Sequence, residues 1–366
     1  MSDYLPEEVV LQILYKIPVK SLIRFRCVSK SWNSLITSSA FIHSHLTPSL
    51  SLPSNSDKLI VKDYDYRNEV VTYKFIHDEN NDYSLHQHVE FPLRDGGYTY
   101  LQLIGSVNGL FCLFESEQII LWNPYIRKFI TLPKPLPKTY RPIAWTYSYR
   151  YGFGFDPRNN DYKVVRMSER SKAKPPLVEV YSLKEGSWRR KTSAATLLKP
   201  GIAFEGQSAM AALNGAVHFR HCQSKLREKL EFDIFGFRGS LSVVCYEPPH
   251  RSCSIWVMKK YGVVKTWSKL FTVDLCGVIK RVIGFRKNGH IFVAAKLGLG
   301  DELNLSSYDP ESQQLKNKKL GISGWPSSFC ADNYVKNLIL LDKPVLFDKA
   351  NGALSQWVVS RKRKSR

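Results

Sequence analysis

Long apolar runs are missing from this chain. Nowhere do about 18 apolar residues follow one another, the length a helix needs to cross a bilayer, so no membrane-spanning helix is expected. The N-terminus has neither a basic flank nor a secretory apolar core, and no export signal is expected from it. Cysteine is scattered. The seven cysteines (27, 112, 222, 245, 253, 276 and 330) are odd in number and form no Cys-x-x-Cys pair. That disfavours a disulfide framework and favours a reduced compartment, nucleus or cytoplasm, with the thiols as small buried groups. Catalytic signatures are absent too. The chain has no Gly-x4-Gly-Lys-[Ser/Thr] phosphate cradle, no His-Glu-x-x-His and no Gly-x-Ser-x-Gly. Gly298 and Gly300 lack the third glycine of a dinucleotide loop. His86 and His88, two apart, share one strand face but find no third ligand nearby in sequence, so a polar strand face is expected there rather than a metal. No cofactor is expected.

Acidic residues are in deficit. Asp and Glu number 32 against 53 Lys and Arg, a formal net charge of +21. This suits partners with acidic surfaces. A nucleic-acid partner is less favoured, because the basic residues are spread along the chain and mixed with acids. The one dense run is Arg361, Lys362, Arg363 and Lys364, in a basic tail over 356–366, which reads either as a solvated end or as a nuclear-import signal. At 43% hydrophobic and 13% aromatic, 366 residues are enough for a sizeable core in two or three domains.

The first 46 residues have helical periodicity. Pro6 suits a helix start, and Glu7 and Glu8 suit its positive end. Leu5, Val9, Val10, Ile13, Leu14 and Ile17 then recur at the spacing of a one-sided stripe, until Pro18 stops the helix. Val19, Leu22, Ile23 and Phe25 rebuild an apolar face in a second short helix. Ser29 is placed to cap a third carrying Trp32, Leu35 and Ile36. Three helices this short cannot bury so much aliphatic surface among themselves, which points either to a partner or to the rest of the chain. His43 and His45 fall in a further short helix, where a spacing of two turns them apart.

After a Ser/Pro linker over 47–57, short β-branched and aromatic runs alternate with Gly, Asn-Pro and Asp-Pro turns over 58–355. A unit of turn, apolar strand and aromatic-ended strand recurs, with Trp122, Tyr181 and Tyr308 as its aromatic marks. The gaps suit a blade of roughly 40–50 residues repeated with irregular loops, a propeller, with a β-sandwich as the rival. Trp145, Tyr147, Tyr149 and Tyr151 alternate with polar residues and so line one strand face. Such rings serve either packing between blades or recognition of a partner.

Leu-Pro-x-Glu from Leu5, Ile-Pro-Val-Lys-Ser-Leu from Ile17 and Arg-Cys-Val-Ser-Lys-Ser-Trp from Arg26 closely resemble the F-box of plant proteins. Val-Asn-Gly-Leu from Val107, Leu-Trp-Asn-Pro from Leu121, Tyr-Gly-Phe-Gly-Phe-Asp from Tyr151, Leu-Asn-Gly-Ala-Val-His from Leu213 and Ile-Trp-Val-Met from Ile255 resemble the plant F-box-associated, kelch-like domain. The resemblance implies an α+β multidomain chain: a three-helix F-box, then a mainly-β, kelch-like β-propeller. The family's usual extra strand–turn–strand between Asn214 and Ser240 is short here, so an incomplete blade or an irregular loop is expected and ring closure is left open.

The resemblance also implies a non-enzymatic substrate-recognition subunit of a Skp–cullin–F-box ubiquitin ligase. The F-box would dock on the Skp-type adaptor, and through it on cullin and RING subunits, while the β domain holds a protein substrate. Leu5, Pro6, Val9, Val10, Ile13, Leu14, Ile17, Val19, Leu22 and Phe25 form the expected adaptor-binding set, some of which must serve the module's own core. Trp145, Tyr147, Tyr149 and Tyr151 are the expected substrate contacts. The alternative is a basic nucleic-acid-binding propeller that carries an F-box.

Overall fold

The computed structural model describes residues 5–51, 58–65, 70–79, 82–90, 102–115, 118–135, 149–168, 175–191, 211–218, 231–286, 288–298, 303–316, 322–324 and 329–343. Four helices come first: α1 (Glu7–Tyr15), α2 (Val19–Phe25), α3 (Lys30–Ile36) and α4 (Ser39–Ser51). Pro6 and Pro18 stand at the N-caps of α1 and α2. The missing N–H falls where a helix offers it no acceptor, while each proline carbonyl accepts the first helical bonds, from Val9 and Val10 and from Ser21 and Leu22. Ser29 caps α3 as expected, its Oγ accepting from the Trp32 N–H at 3.1 Å. Helix α4 runs on through Ser51, into the stretch expected as linker.

The strands follow in chain order: β1 (Lys58–Asp65), β2 (Val70–Glu79), β3 (Asp82–Glu90), β4 (Gln102–Val107), β5 (Leu110–Glu115), β6 (Gln118–Asn123), β7 (Lys128–Thr131), β8 (Tyr149–Asp156), β9 (Asp161–Ser168), β10 (Leu177–Ser182), β11 (Ser187–Arg190), β12 (Ala211–Leu213), β13 (Ala216–His218), β14 (Glu231–Phe237), β15 (Ser240–Glu247), β16 (Ser252–Met258), β17 (Trp267–Asp274), β18 (Ile279–Phe285), β19 (Ile291–Ala295), β20 (Leu303–Asp309), β21 (Gln314–Lys316), β22 (Ser323–Gly324) and β23 (Cys330–Asn333). They form a β-propeller of antiparallel sheets. Four sheets have four strands (β23-β1-β2-β3, β4 to β7, β8 to β11 and β14 to β17), β18 to β22 make a five-stranded sheet, and β12 pairs only with β13 among the described residues. The sequence suggests an incomplete blade or an irregular loop between Asn214 and Ser240, and residues 219–230 of that stretch lie outside the described residues.

The innermost strands are neighbours in turn: β4 beside β8, β8 beside β12, β12 beside β14, β14 beside β18 and β18 beside β23. Ring closure, left open by the sequence, is made by β23. This strand from near the end of the chain pairs with β1, Leu59 opposite Asn333 and Lys62 opposite Cys330. The inner hairpins turn on two successive residues of positive φ, Asn108-Gly109, Asn214-Gly215 and Arg238-Gly239. Their twist matches that of the paired strands.

The segment after β23 ties the molecule together. Tyr334 is buried against Phe111 and Tyr125 of the β4–β7 sheet, with ring centroids 6.3 and 6.5 Å away. The Asn123 side chain, fully buried, donates to the carbonyls of Asn337 (3.2 Å) and Ile339 (2.9 Å) and to Asn337 Oδ1 (2.6 Å). Asn337 in turn donates to the carbonyls of Asn108 and Val335. Leu338 to Leu341 then enter one apolar core with Leu14, Leu22, Ile36, Phe41 and Ile42 of the helices and Leu110, Leu121 and Ile130 of the sheet. The helical region is therefore built onto the propeller, not hung from it.

Candidate functional site

The structure divides the apolar stripe of the helices in two. Leu14 and Leu22 have no exposure and Val19 is 4% exposed, so these three belong to the core shared with the propeller. They are inaccessible to a partner, and their place in the expected adaptor-binding set passes to packing. Val10, Ile17 and Phe25 are half-buried against the same core. Phe25 meets Trp32 edge-on at 5.7 Å, and Tyr15 stacks on Phe41 at 5.0 Å. Val9 and Ile13, four apart and so on one face of α1, remain 41% and 47% exposed, and Leu5 (61%) and Pro6 are exposed just before the helix. Sequence periodicity missed Val28, which is 63% exposed. It lies between α2 and α3, where no helical repeat marks it; an apolar residue directly before a capping serine was the signal available.

Behind this surface the helices are pinned. His45, 5% exposed on α4, donates from Nε2 to the Ile17 carbonyl at 3.1 Å, joining α4 to the end of α1. Burial holds the His45 pKa below the usual histidine value, and the hydrogen bond only partly opposes that. Arg26 Nε donates to Asn33 Oδ1 at 3.0 Å, fixing the α2–α3 corner. His43 faces a cleft of about 350 Å³ between α4 and the propeller, lined also by Asp161, Lys184, Asp342 and Lys343. Those charges are engaged locally. Asp161 accepts from Ser182 Oγ (2.6 Å) and the Lys184 N–H (2.9 Å), and Lys343 lies 3.4 Å from Asp342.

Of the expected substrate contacts, Trp145 and Tyr147 lie outside the described residues. Tyr149 and Tyr151 sit on β8, both half-buried. The Arg166 guanidinium lies over the Tyr149 ring at 4.8 Å, while Tyr151 packs on Phe114 of the neighbouring sheet at 4.8 Å. Both rings are thus engaged in packing, Tyr151 between sheets. His86 and His88 lie on β3, His88 opposite Lys74. Among the described residues no three His, Cys, Asp or Glu side chains cluster as a metal site would need, and no helix is long and apolar enough to cross a membrane. Arg361, Lys362, Arg363 and Lys364 lie outside the described residues.

Comparison with known proteins agrees with this architecture. Residues 3–44 match the F-box domain, and residues 59–342 match the F-box associated beta propeller domain. An F-box/kelch-repeat protein of Arabidopsis thaliana is 27% identical over 74% of this chain and 79% of its own. The F-box protein CPR1 of the same plant is 28% identical over 92% of this chain and 89% of its own. Among solved structures, an oligogalacturonate lyase in complex with manganese covers 75% of this chain and 80% of its own, at a TM-score of 0.38 and 8% identity, too distant to carry any argument. The chain belongs to the plant F-box proteins in which the F-box is followed by an F-box-associated β-propeller domain.

Proposed function

We propose that the chain is the substrate-recognition subunit of a Skp–cullin–F-box ubiquitin ligase, docking on a Skp-type adaptor through α1 and the α2–α3 corner and presenting a target protein on the propeller. The observation that carries this reading is the exposed pair Val9 and Ile13 on α1, with Leu5 and Pro6 exposed just before it, on a helix whose Leu14 is buried and whose Val10, Leu11 and Tyr15 pack half-buried against the shared core. A helix presenting one aliphatic edge to solvent gains by laying it in a partner's groove. On this reading the chain performs no bond chemistry. It raises the local concentration of target lysines near the charged conjugating enzyme. The four-residue spacing of Val9 and Ile13, with the acidic Glu7 and Glu8 in the same first turn, favours a protein groove over a nucleic acid.

The test exploits exposure. Val9→Asp with Ile13→Asp places two charges on the strip without touching the core, so the thermal midpoint is expected to hold. Each aliphatic anchor lost typically costs about 1–3 kcal/mol of binding. Co-purification with the Skp-type adaptor should therefore be abolished. Undiminished adaptor binding by the folded double variant would overturn the reading.

A further inference from the structure

Among the described residues, the sheet β14–β17 has an uncovered outer corner. One of its faces carries Ile234, Leu241 and Met258, which are buried together with Ala211 of β12. Trp256 lies two residues before Met258 on the same strand and face, and is 36% exposed opposite Lys269 of β17. The described part of the neighbouring sheet is only the hairpin β12–β13. It covers the inner strands' share of that face. Beyond it, the turn from β16 to β17 exposes Tyr261, Val263 and Val264 at 39%, 38% and 74%.

This turn is held in shape. Thr266 Oγ1 accepts from the Lys260 N–H at 3.0 Å and donates to the Val263 carbonyl at 2.7 Å. The Thr266 N–H bonds the same carbonyl at 2.9 Å, and Lys259 N–H reaches the Thr266 carbonyl at 3.2 Å. Tyr261 is anchored outward through its hydroxyl to His218 Nε2 of β13 at 3.0 Å, the rings meeting edge-on. A turn with this many internal bonds loses little entropy on binding, so the apolar side chains it displays are pre-organised. Around them stand Lys259, Lys260 and Lys265, all exposed and, among the described residues, in no ion pair. Lys269 is also exposed and acts on Glu247.

We propose that this β16–β17 corner is the docking surface for an extended acidic segment of a partner protein that carries aliphatic or aromatic side chains. The lysines supply the charge complement, and Trp256 and Val264 the apolar anchors. A single-stranded nucleic acid would use the lysines and the aromatic rings, but Val263 and Val264 offer it neither a stacking platform nor a hydrogen bond. Identification of the partner as the recruited target rests on the function proposed above; the docking itself does not.

The experiment uses the full chain and an array of immobilised octapeptides combining Asp or Glu with Leu, Phe or Trp. Companion sets carry Lys in place of the acids or Ser in place of the apolar residues. The full chain is expected to retain octamers that have both features and to release both companion sets. Lys260→Glu with Lys265→Glu should lower that retention about tenfold and shift it to the lysine set, and Trp256→Ser with Val264→Ser should lower it about as much. The lysine pair is exposed and outside the core, so its effect is readable even if Trp256→Ser loosens the sheet. Equal retention by the charge-reversed variant, no retained octamer, or tighter binding of oligothymidylate through these residues would overturn the proposal. Adaptor co-purification, followed on the same proteins, should stay unchanged. Its failure in the wild-type chain would count against the ligase reading and leave the docking surface to be judged by the array.

Discussion

At Gly109 and Asn123 single atoms decide whether the 334–343 segment can lie where it does. Gly109 has φ +78°, and a Cβ there would collide with the Val335 carbonyl oxygen and stand 2.6 Å from Asn337 Nδ2. The first obstacle is backbone, and the second is held in place by its bonds to the Asn108 and Val335 carbonyls. Gly109→Ala combines left-handed strain with a backbone clash, and unfolding in urea is expected to show a loss of at least about 3 kcal/mol. Asn123→Leu should cost about 2–4 kcal/mol, since it strips a donor from the buried carbonyls of Asn337 and Ile339. A loss under about 1 kcal/mol for Gly109→Ala would mean the segment is not held against this turn. His45 adds a pH dependence. Its folded pKa lies below the ordinary 6.5, so on acidification the unfolded chain takes up the proton first. The stability this gives is full above pH 6.5 and is lost as pH falls below it. Burial depresses His43 and His218 in the same direction. His45→Gln keeps a donor for the Ile17 carbonyl but cannot titrate. The thermal midpoint of that variant should fall less steeply between pH 7 and pH 5 than that of the wild type.

At the scale of elements, local chemistry was legible where it is self-contained. The proline starts, the Ser29 cap and the apolar periods marked α1, α2 and α3 within a residue or so. The Asn-Gly turns at Asn108 and Asn214 marked hairpins because their positive φ values need those residue types. What stayed hidden depends on partners far away in sequence. The division of the α1 stripe into buried Leu14 and exposed Val9 and Ile13 is set by Leu338 to Leu341, more than 300 residues later. Closure by β23 was illegible for the same reason: four residues, Cys330 to Asn333, have no strand signal until β1 offers them a register. The β8 rings were read as one face, which cannot tell a mouth from a seam. Phe114 places Tyr151 at a seam between two sheets, while Arg166 covers the Tyr149 ring within one sheet. The exposed corner at Trp256 was readable only as an apolar strand, because its exposure follows from how little the described neighbouring hairpin covers.

For the whole molecule, the sequence reads as a small module joined by a linker to a separate domain, and the packing adds a core that both share. Phe41, Ile42 and Leu46 share one core with Cys112, Ile130 and Tyr162 of two different sheets and with Leu338 to Leu341. Ser39 Oγ donates to Asp342, and Lys128 donates to the carbonyls of Leu341 and Lys343, so polar contacts brace the same junction. If the F-box is the handle by which a ligase holds this chain, a shared core fixes the propeller's orientation relative to the adaptor. That favours delivery of a bound target to one region of space. The arrangement predicts coupled unfolding. In hydrogen exchange followed by mass spectrometry across a urea gradient, peptides from α2 to α4 should lose protection at the same urea concentration as peptides from β5 and β6. Deleting residues 1–46 should leave the β domain prone to aggregation, because it uncovers Leu338, Ile339 and Leu340, which are 1%, 3% and 1% exposed in the whole chain. Helical peptides that open well before the sheet, together with a soluble and fully protected propeller after the deletion, would show two independent domains and remove the argument for a fixed orientation.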